Sequence, residues 1–209
     1  MGKPIISYSI EAARESSVFD RIIVSTDSGE IAEIARNAGA EVPFIRPAEL
    51  GENRVNIADV VHHAIVWLKE RNENYKYTCC ILATAPFLQA VKIKEGYEII
   101  CGNDVDSVIS VVKFSFPVFR AFKKDKEGRM KFIWPEYELK HSNELPDSYH
   151  DAGQFYWLNT EKFLDSNNIM GREVLPMVLP GYLVQDIDTQ EDWEIAEMKY
   201  EICRRNRLL

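Results

Sequence analysis

The sequence predicts an α/β fold with a mainly parallel sheet covered by helices. Short β-branched runs alternate along the chain with segments whose apolar residues recur every three to four positions. The connections between these segments are short, as in successive strand–helix units. One stretch, residues 113–149, breaks the alternation. We therefore expect a single domain over residues 1–209, with 113–149 as an appended arm.

The first half of the chain contains alternating helical and extended segments. Pro4 suits the first turn of a helix, Ser28 suits an N-cap, and Gly39 suits the stop after a helix. Strands are expected where β-branched and other apolar residues run together. The expected helices are 4–15, 28–38 and 57–71, and the expected extended segments are 21–26, 41–45 and 77–83.

The second half continues the pattern after one irregular stretch. In the arm, the runs VFRAFKK and RMKFIW flank DKEG, which indicates a β-hairpin. Eight residues of 113–149 are Phe, Trp or Tyr, and such a projection favours contact with a partner subunit. The other expected elements are a helix at 91–101, a strand at 106–112, a strand at 152–158, a short helix TEKFLDSN, extended VLPMVLP and YLVQDID, and a closing helix TQEDWEIAEMKYEICRRN capped by Thr189.

Composition excludes several function classes. With 33 acidic and 25 basic residues the net charge is −8, which argues against general nucleic-acid binding. No apolar run approaches the roughly 20 residues that span a bilayer, and the N-terminus lacks the apolar region of a signal peptide. The four cysteines form no CxxC pair. We therefore expect reduced thiols and a cytoplasmic protein without a membrane partner.

Three polar groups follow expected strands. Ser25, Thr26 and Asp27 end the first strand, Arg46 follows the second extended segment, and Thr84 follows the strand at 77–83. Ligands of open α/β sheets bind outside the carboxyl ends of the strands, so these residues are candidates for ligand contact. The alternatives remain open: capping of the next helix, a solvated arginine, and an ordinary strand-to-helix turn.

A pair of carboxylates lies near the end of the chain. Asp186 and Asp188, two residues apart on an extended segment, point to the same side and repel each other unless a cation lies between them. Mg²⁺ fits, because it usually takes one or two carboxylates together with substrate phosphates. The alternative is that Asp188 begins the final helix while Asp186 is solvated. His150 beside Asp151 does not by itself make a catalytic base.

These segments together resemble a known family. DRIIVSTD, AEVPFIRPAEL, ILATAPFL, YHDAGQFYW and VQDIDTQEDW are similar, in this order, to the acylneuraminate cytidylyltransferases, which activate nonulosonic acids (sialic-acid-like nine-carbon sugars). TAPFL and HDAGQFYW look most like the pseudaminic acid branch of that family, whereas the sialic acid branch typically has a TSPLR-like segment. The resemblance covers about residues 2–200.

The resemblance implies a fold, a reaction and a cofactor. The fold would be a Rossmann-like nucleotidyltransferase three-layer sandwich, with the hairpin arm forming a homodimer. CTP and a nonulosonic acid, with pseudaminic acid as the first candidate, would give the CMP-sugar and pyrophosphate, with attack of the anomeric hydroxyl on the α-phosphorus. Asp186 and Asp188 would be catalytic carboxylates holding Mg²⁺, and residues 25–27 together with Arg46 would face the nucleotide.

The resemblance also implies contacts to the sugar. Thr84 would line the cleft between nucleotide and sugar. Gln154 and Tyr156, on the strand after His150-Asp151, would face the sugar. Arg120 and Lys123 on the arm are candidates for the sugar's carboxylate, and this assignment rests on their charge alone.

The sequence departs from the family pattern in two places. Relatives open with a strand and a glycine-rich basic loop that wraps the triphosphate, roughly 20 residues before a GKPII-like helix start. Here GKPII begins at residue 2, and Glu52, Asn53 and Ile57 replace an acidic pair and a hydroxyl residue. We expect either an N-terminally truncated record of an active enzyme or a degenerate relative that only binds nucleotide, sugar or a partner. Pyrophosphate release with and without the restored segment separates the two.

Two other function classes are compatible with the pattern. One is a different nucleotide-sugar or polyol-phosphate nucleotidyltransferase on the same fold, and the other is an interaction module that uses the aromatic arm. CTP affinity that depends on Mg²⁺, with CTP preferred over UTP, favours the cytidylyltransferase. Intact dimerisation without nucleotide binding favours the module.

Overall fold

The computed structural model describes residues 2–52 and 54–209, and Asn53 lies outside the described residues. Six α-helices are present there: α1 (Ile5–Ser16), α2 (Gly29–Asn37), α3 (Ile57–Lys69), α4 (Ala90–Gly102), α5 (Thr160–Ser166) and α6 (Gln190–Arg205). The strands are β1 (Tyr77–Ile81), β2 (Ser107–Lys113), β3 (Phe122–Lys124), β4 (Met130–Phe132), β5 (Tyr149–Asn159) and β6 (Val174–Leu179). The α/β class predicted from the sequence is confirmed.

The main sheet has the strand order β1-β5-β2-β6. β2 and β6 are parallel, whereas β5 is antiparallel to both β1 and β2. Three of the four described strands therefore point the same way, as expected, but the hydrogen bonding is mixed. The cause is the arm: it leaves β2 and returns to the same end of the sheet, so β5 must run back against its neighbours.

Helices cover both faces of this sheet. On one face α1 and α4 bury Ile93 and Ile100 against Phe155 and Trp157, and the Trp157 indole donates to the Ile93 carbonyl at 3.0 Å. On the other face, apolar residues of α3 and α5 pack against β2 and β5. Alternation along β5 supplies both layers, because successive side chains point to opposite faces. The expected three-layer sandwich is confirmed.

The predicted strand at 21–26 is wrong as a regular strand, whereas 41–45 is extended, as expected. The two segments are extended and lie parallel, but they share one isolated bridge between Ile23 and Glu41. Glu41 donates to the Ile22 carbonyl at 2.8 Å and Val24 donates to the Glu41 carbonyl at 2.9 Å. Pro43 occupies the position of the next donor in this ladder and has no N–H, so regular pairing stops.

Local signals at helix ends are confirmed. The Ser28 hydroxyl accepts from the Ile31 amide at 3.3 Å, and Gly39 has a φ of 94° after the end of α2. Thr189 and Asp192 form a reciprocal capping box on α6. The YLVQDID segment is only partly extended, because a 3₁₀ turn occupies Gly181–Leu183. None of the helices described is long and apolar enough to cross a membrane.

The arm contains the predicted hairpin. β3 and β4 pair antiparallel, with Phe122 opposite Phe132 and Lys124 opposite Met130. The Asp125 carboxylate accepts from the Arg129 amide at 2.8 Å and so closes the DKEG turn. The arm joins the main sheet between β2 and β5, at the end of the sheet where the polar segments described next also lie.

Candidate functional site

The loop after β1 places Thr84 at the carboxyl end of the strands. Thr84 is exposed, while Ala85 and Phe87 beside it are almost fully buried. The buried pair fixes the loop against α6 and the core, so the threonine hydroxyl is held at the surface of the cleft. The structure therefore places Thr84 where a ligand can reach it.

Asp27 and Arg46 form an ion pair at the end of the two extended segments. The Arg46 guanidinium donates to Asp27 Oδ1 at 3.0 Å and to the Ser25 carbonyl at 3.4 Å. The Ser25 hydroxyl oxygen and Arg46 Nε are buried without a partner in the described structure. Buried polar atoms are rarely left unpaired, so these two are candidates for contact with a bound molecule or an ordered water.

Thr26 has a structural role in the same segment. Its side chain is buried, and its hydroxyl oxygen accepts from the Ser28 amide at 3.1 Å. The prediction that Thr26 contacts nucleotide through its side chain has no support from this geometry, because the hydroxyl is occupied in the turn that begins α2. Asp27 and Arg46 remain the accessible members of the group.

An irregularity in the pairing of β5 positions the Asp151 carboxylate. The register between β2 and β5 shifts between Ile109 and Val111, and Gly153 takes a left-handed φ of 61°. The Ser110 hydroxyl replaces a missing backbone partner and accepts from the Phe155 amide at 3.1 Å. Asp151 Oδ1 accepts from the Gly153 amide at 2.8 Å, which fixes the direction of this carboxylate.

Tyr156 joins this irregular segment to the acidic motif. Its hydroxyl donates to Asp151 Oδ2 at 2.8 Å. Burial raises the pKa of Tyr156, and the carboxylates of Asp151 and Asp186 raise it further. The phenol therefore stays protonated near neutral pH and orients Asp151. Contact of Tyr156 with the sugar stays a prediction; in the structure the side chain is buried and its hydroxyl donates to Asp151.

Gln154 lies two residues before Tyr156 on the same strand. The side chain is only 3% exposed, and its amide nitrogen donates to the Leu183 carbonyl. Contact of Gln154 with the sugar stays a prediction. In the structure Gln154 fixes the segment that leads to Asp186 and Asp188.

Asp186 and Asp188 are both exposed, which is compatible with ligand binding and with the alternative of a solvated pair. Lys199 of α6 anchors the segment before them by donating to the Val184 carbonyl and to Gln185 Oε1, the latter at 3.3 Å. Burial lowers the pKa of Lys199. No ion pair within residues 2–52 and 54–209 neutralises either aspartate, so the acidic segment is rigidly held but uncompensated.

Arg120 and Lys123 of the arm make none of the described contacts with Asp151, Tyr156 or the segment that carries Asp186 and Asp188. Arg120 donates to the Glu138 carbonyl at 3.2 Å and to the Ser142 hydroxyl at 3.4 Å, so it holds the arm together. Lys123 is exposed on β3 opposite Lys131. Contact of either with a sugar carboxylate stays a prediction.

Two residues of the site were missed by the sequence reasoning. Asp151 was passed over because no neighbouring nucleophile marked it, yet it is hydrogen-bonded into the centre of the site. Lys3 lines a small cavity of about 50 Å³ with Ile187 and Tyr200 and lies 4.0 Å from the Tyr8 ring centroid. Its position at the start of GKPII could have suggested a cation near the acidic motif.

The donor set fits a hard cation that takes further ligands from its substrate. Among the described residues no group of three or more His, Cys, Asp or Glu side chains could hold a metal alone. Asp186 and Asp188 supply two uncompensated carboxylates, which is the number that Mg²⁺ usually takes when phosphates complete its shell.

Comparisons with known proteins identify the family of the chain. A family model described as cytidylyltransferase matches residues 1–149. The pseudaminic acid cytidylyltransferase of Campylobacter jejuni is 36% identical over 202 residues, which are 97% of this chain and 87% of the relative. The CMP-N,N'-diacetyllegionaminic acid synthase of Legionella pneumophila is 27% identical over 206 residues, 96% of this chain and 87% of the relative.

A solved structure shares the fold. The CMP:2-keto-3-deoxy-manno-octonic acid synthetase complexed with CTP has a TM-score of 0.66 at 10% identity, over 98% of this chain and 90% of that one. Identity this low supports the architecture alone. Together with the family match over residues 1–149 and the 36% identity to the Campylobacter relative, it leads to one conclusion: this chain belongs to the cytidylyltransferase family.

Proposed function

We propose that the protein transfers CMP from CTP to the anomeric hydroxyl of a nonulosonic acid, with pseudaminic acid as the first candidate, and releases pyrophosphate. Support comes from the 36% identity to a pseudaminic acid cytidylyltransferase and from one structural observation. That observation is that the Asp27–Arg46 pair, the exposed Thr84 and the uncompensated carboxylate pair each lie in a loop that follows a strand or an extended segment.

The reaction is an in-line displacement at phosphorus. The sugar hydroxyl oxygen forms a bond to the α-phosphorus, and the bond from that phosphorus to the bridging oxygen breaks, so that pyrophosphate departs. The hydroxyl proton is lost to solvent. Such transfers depend mainly on positioning and on stabilising charge on the phosphates. The chain's own residues must therefore hold two anionic substrates in line.

We assign roles from the contacts. Arg46 faces the nucleotide with its guanidinium held by Asp27, and Thr84 lines the cleft. Asp186 and Asp188 would hold Mg²⁺, which when bound neutralises phosphate charge. Lys3, which lines a small cavity with Ile187 and pairs with Glu11, is assigned as a further cation for a phosphate oxygen.

The test is a coupled pyrophosphate-release assay with CTP, Mg²⁺ and pseudaminic acid. We expect turnover with CTP and little with UTP, and loss of turnover in EDTA that added Mg²⁺ restores. The double variant D186N/D188N should lose at least about 100-fold in kcat. D165N, an exposed aspartate of α5, is the matched control and should retain normal activity. CTP turnover that is unaffected by D186N/D188N would contradict the assignment.

We propose that the active form is a homodimer joined through the arm. The arm exposes large apolar side chains, including Phe116 at 83% and Leu139 at 92% exposure. Contiguous apolar surface of this kind is characteristic of interaction sites. The four free cysteines are compatible with a reducing compartment, and we propose the cytoplasm.

A further inference from the structure

Helix α6 has an apolar side that the described part of the chain leaves open to solvent. Its buried side chains, Ala196 and Cys203, pack against the core. In contrast, Ile195, Met198 and Ile202 are 37%, 58% and 52% exposed. Their spacing of i, i+3 and i+7 places these three on one side of the helix, away from the buried pair. Adjacent apolar side chains exposed in this way are characteristic of an interaction site.

The exposed apolar row is the centre of a longer seam along α6. Glu191 lies four residues before Ile195, and Arg205 lies three residues after Ile202. Five positions therefore follow one another at steps of four, three, four and three residues, which is the spacing of the a and d positions of a coiled coil. We call Glu191, Ile195, Met198, Ile202 and Arg205 the outer seam of α6. At 1.5 Å per residue this seam is about 21 Å long.

The outer seam carries opposite charges at its two ends. Glu191 lies in the first turn of α6 and Arg205 in the last turn. Both side chains are exposed, and within the described residues neither takes part in an ion pair. A second exposed glutamate, Glu194, borders the acidic end of the seam. The seam is therefore negative at its start, apolar in its middle and positive at its end.

We propose that the outer seams of two copies of this chain pack against each other antiparallel, about a two-fold axis that passes beside Met198. In this arrangement Ile195 of each copy lies level with Ile202 of the other, because the two positions are equally distant from the middle of the seam. Glu191 of each copy then lies beside Arg205 of the other, so the same ion pair forms twice. A parallel pair would place like charges side by side at both ends.

The seam is complementary to itself, and this favours a second copy of the chain over an unrelated partner. A two-fold contact uses the same patch on both subunits, so its two halves must match each other in shape and charge. The arm takes no part in this contact, which is separate from the arm contact proposed above and goes beyond the proposed function. Because the apolar row has only three residues, we expect weak, reversible association at roughly micromolar concentrations.

The test exchanges the two charges of the seam and measures self-association by sedimentation equilibrium. All variants are made in an F116S/L139S background, which removes two exposed apolar side chains of the arm. E191R and R205E should each raise the dissociation constant by about 10-fold or more, because attraction becomes repulsion at both ends. The double variant E191R/R205E should regain the background affinity. So should an equimolar mixture of the two single variants, since opposite charges then meet again.

Controls separate the contact from the stability of the helix. E98R and K94E change exposed charges on α4 and should leave the dissociation constant unchanged. Urea unfolding of E191R and R205E measures any loss of helix stability. Mixing two chains that had merely lost their fold would not restore association, so recovery in the mixture is specific to the contact.

A cross-link locates the axis of the pair. In a C101S background, which removes the exposed native thiol, M198C should form a disulfide with a second copy of itself on mild oxidation. I195C and I202C should each form little linked dimer alone, whereas an equimolar mixture of these two variants should link efficiently.

Several results would overturn the inference. One is a background chain that stays monomeric at roughly 100 µM. Others are association that neither E191R nor R205E weakens, and a mixture of these variants that does not regain affinity. Efficient linkage of I195C or I202C to itself would indicate a parallel pair and would also refute the proposal. None of these measurements depends on turnover, so their outcome is independent of the cytidylyltransferase assay.

Discussion

Gly51 sets the position of the Asp27–Arg46 pair, and its replacement by alanine tests the nucleotide-facing part of the site. Gly51 is the last residue of a 3₁₀ turn and does not take a left-handed φ, so alanine causes no backbone strain there. The new Cβ would, however, overlap Asp27 Oδ2 and lie 3.1 Å from its Cγ. The aspartate must rotate away, and its 3.0 Å bond to the Arg46 guanidinium is lost.

The magnitude follows from the exposure of this pair. The side chains of Arg46 and Asp27 are 19% and 42% exposed, and ion pairs near the surface contribute about 0.2–1 kcal/mol. We expect the free energy of unfolding of G51A to fall by up to about 1 kcal/mol. Release of Arg46 from its fixed position should weaken CTP binding by about the same free energy, or roughly 5-fold in Kd.

Calorimetric titration with CTP in Mg²⁺ and urea unfolding measure the two effects. G29A is the matched control: a Cβ on Gly29 meets nothing within 4 Å, so this variant should bind CTP normally. It also accounts for the unfolded-state entropy that any Gly-to-Ala change removes. A double-mutant cycle completes the design, because D27A removes the atoms that the new methyl group displaces.

Two results would refute this reasoning. The first is unchanged CTP affinity in G51A. The second is additivity in the cycle: if G51A weakens binding as much in the D27A background as in the wild type, the clash with Asp27 is not the cause.

Three further predictions concern stability and thiol reactivity. The Arg21 guanidinium lowers the pKa of Glu41, so this carboxylate stabilises the fold above its ordinary titration range and loses the contribution as the pH falls through the lowered pKa. E41Q should therefore reduce the free energy of unfolding by about 0.5–1 kcal/mol at pH 7 and by less at pH 3. K199M should reduce it by about 1–2 kcal/mol in urea unfolding, because buried carbonyl groups lose their donor. Burial raises the pKa of Cys80 to about 12, so iodoacetamide at pH 8 should label the exposed Cys101 first, as read by peptide mass spectrometry.

These predictions have controls in the same chain. E33Q, the control for E41Q, removes an exposed glutamate of α2 and should change the free energy of unfolding little at either pH. K94M, the control for K199M, removes an exposed lysine of α4 and should also change the free energy of unfolding little. An E41Q effect that persists undiminished at pH 3 would contradict the ion-pair explanation. Equal stability of K199M and K94M, or labelling of Cys80 at the rate of Cys101, would contradict the burial argument.

Much of the fold could be predicted because its signals are local. Ser28 and Thr189 cap the helices that the sequence assigned to them, and the DKEG turn closes the predicted hairpin. Sequence patterns fail where pairing is long-range. Pro43 ends a ladder that β-branched residues alone would favour, and the reversed direction of β5 follows from where the arm re-enters the sheet.

The sequence by itself determined the α/β class and the helix caps, because these depend on periodicity and on neighbours along the chain. Only the tertiary structure decided which polar residues are free to bind. The side chains of Gln154 and Tyr156 are buried. Gln154 donates a hydrogen bond to the Leu183 carbonyl and Tyr156 donates one to Asp151, across 29 and 5 residues of sequence respectively. A hydrogen bond satisfied inside the fold is unavailable to a ligand, and no local pattern reveals which bonds are satisfied.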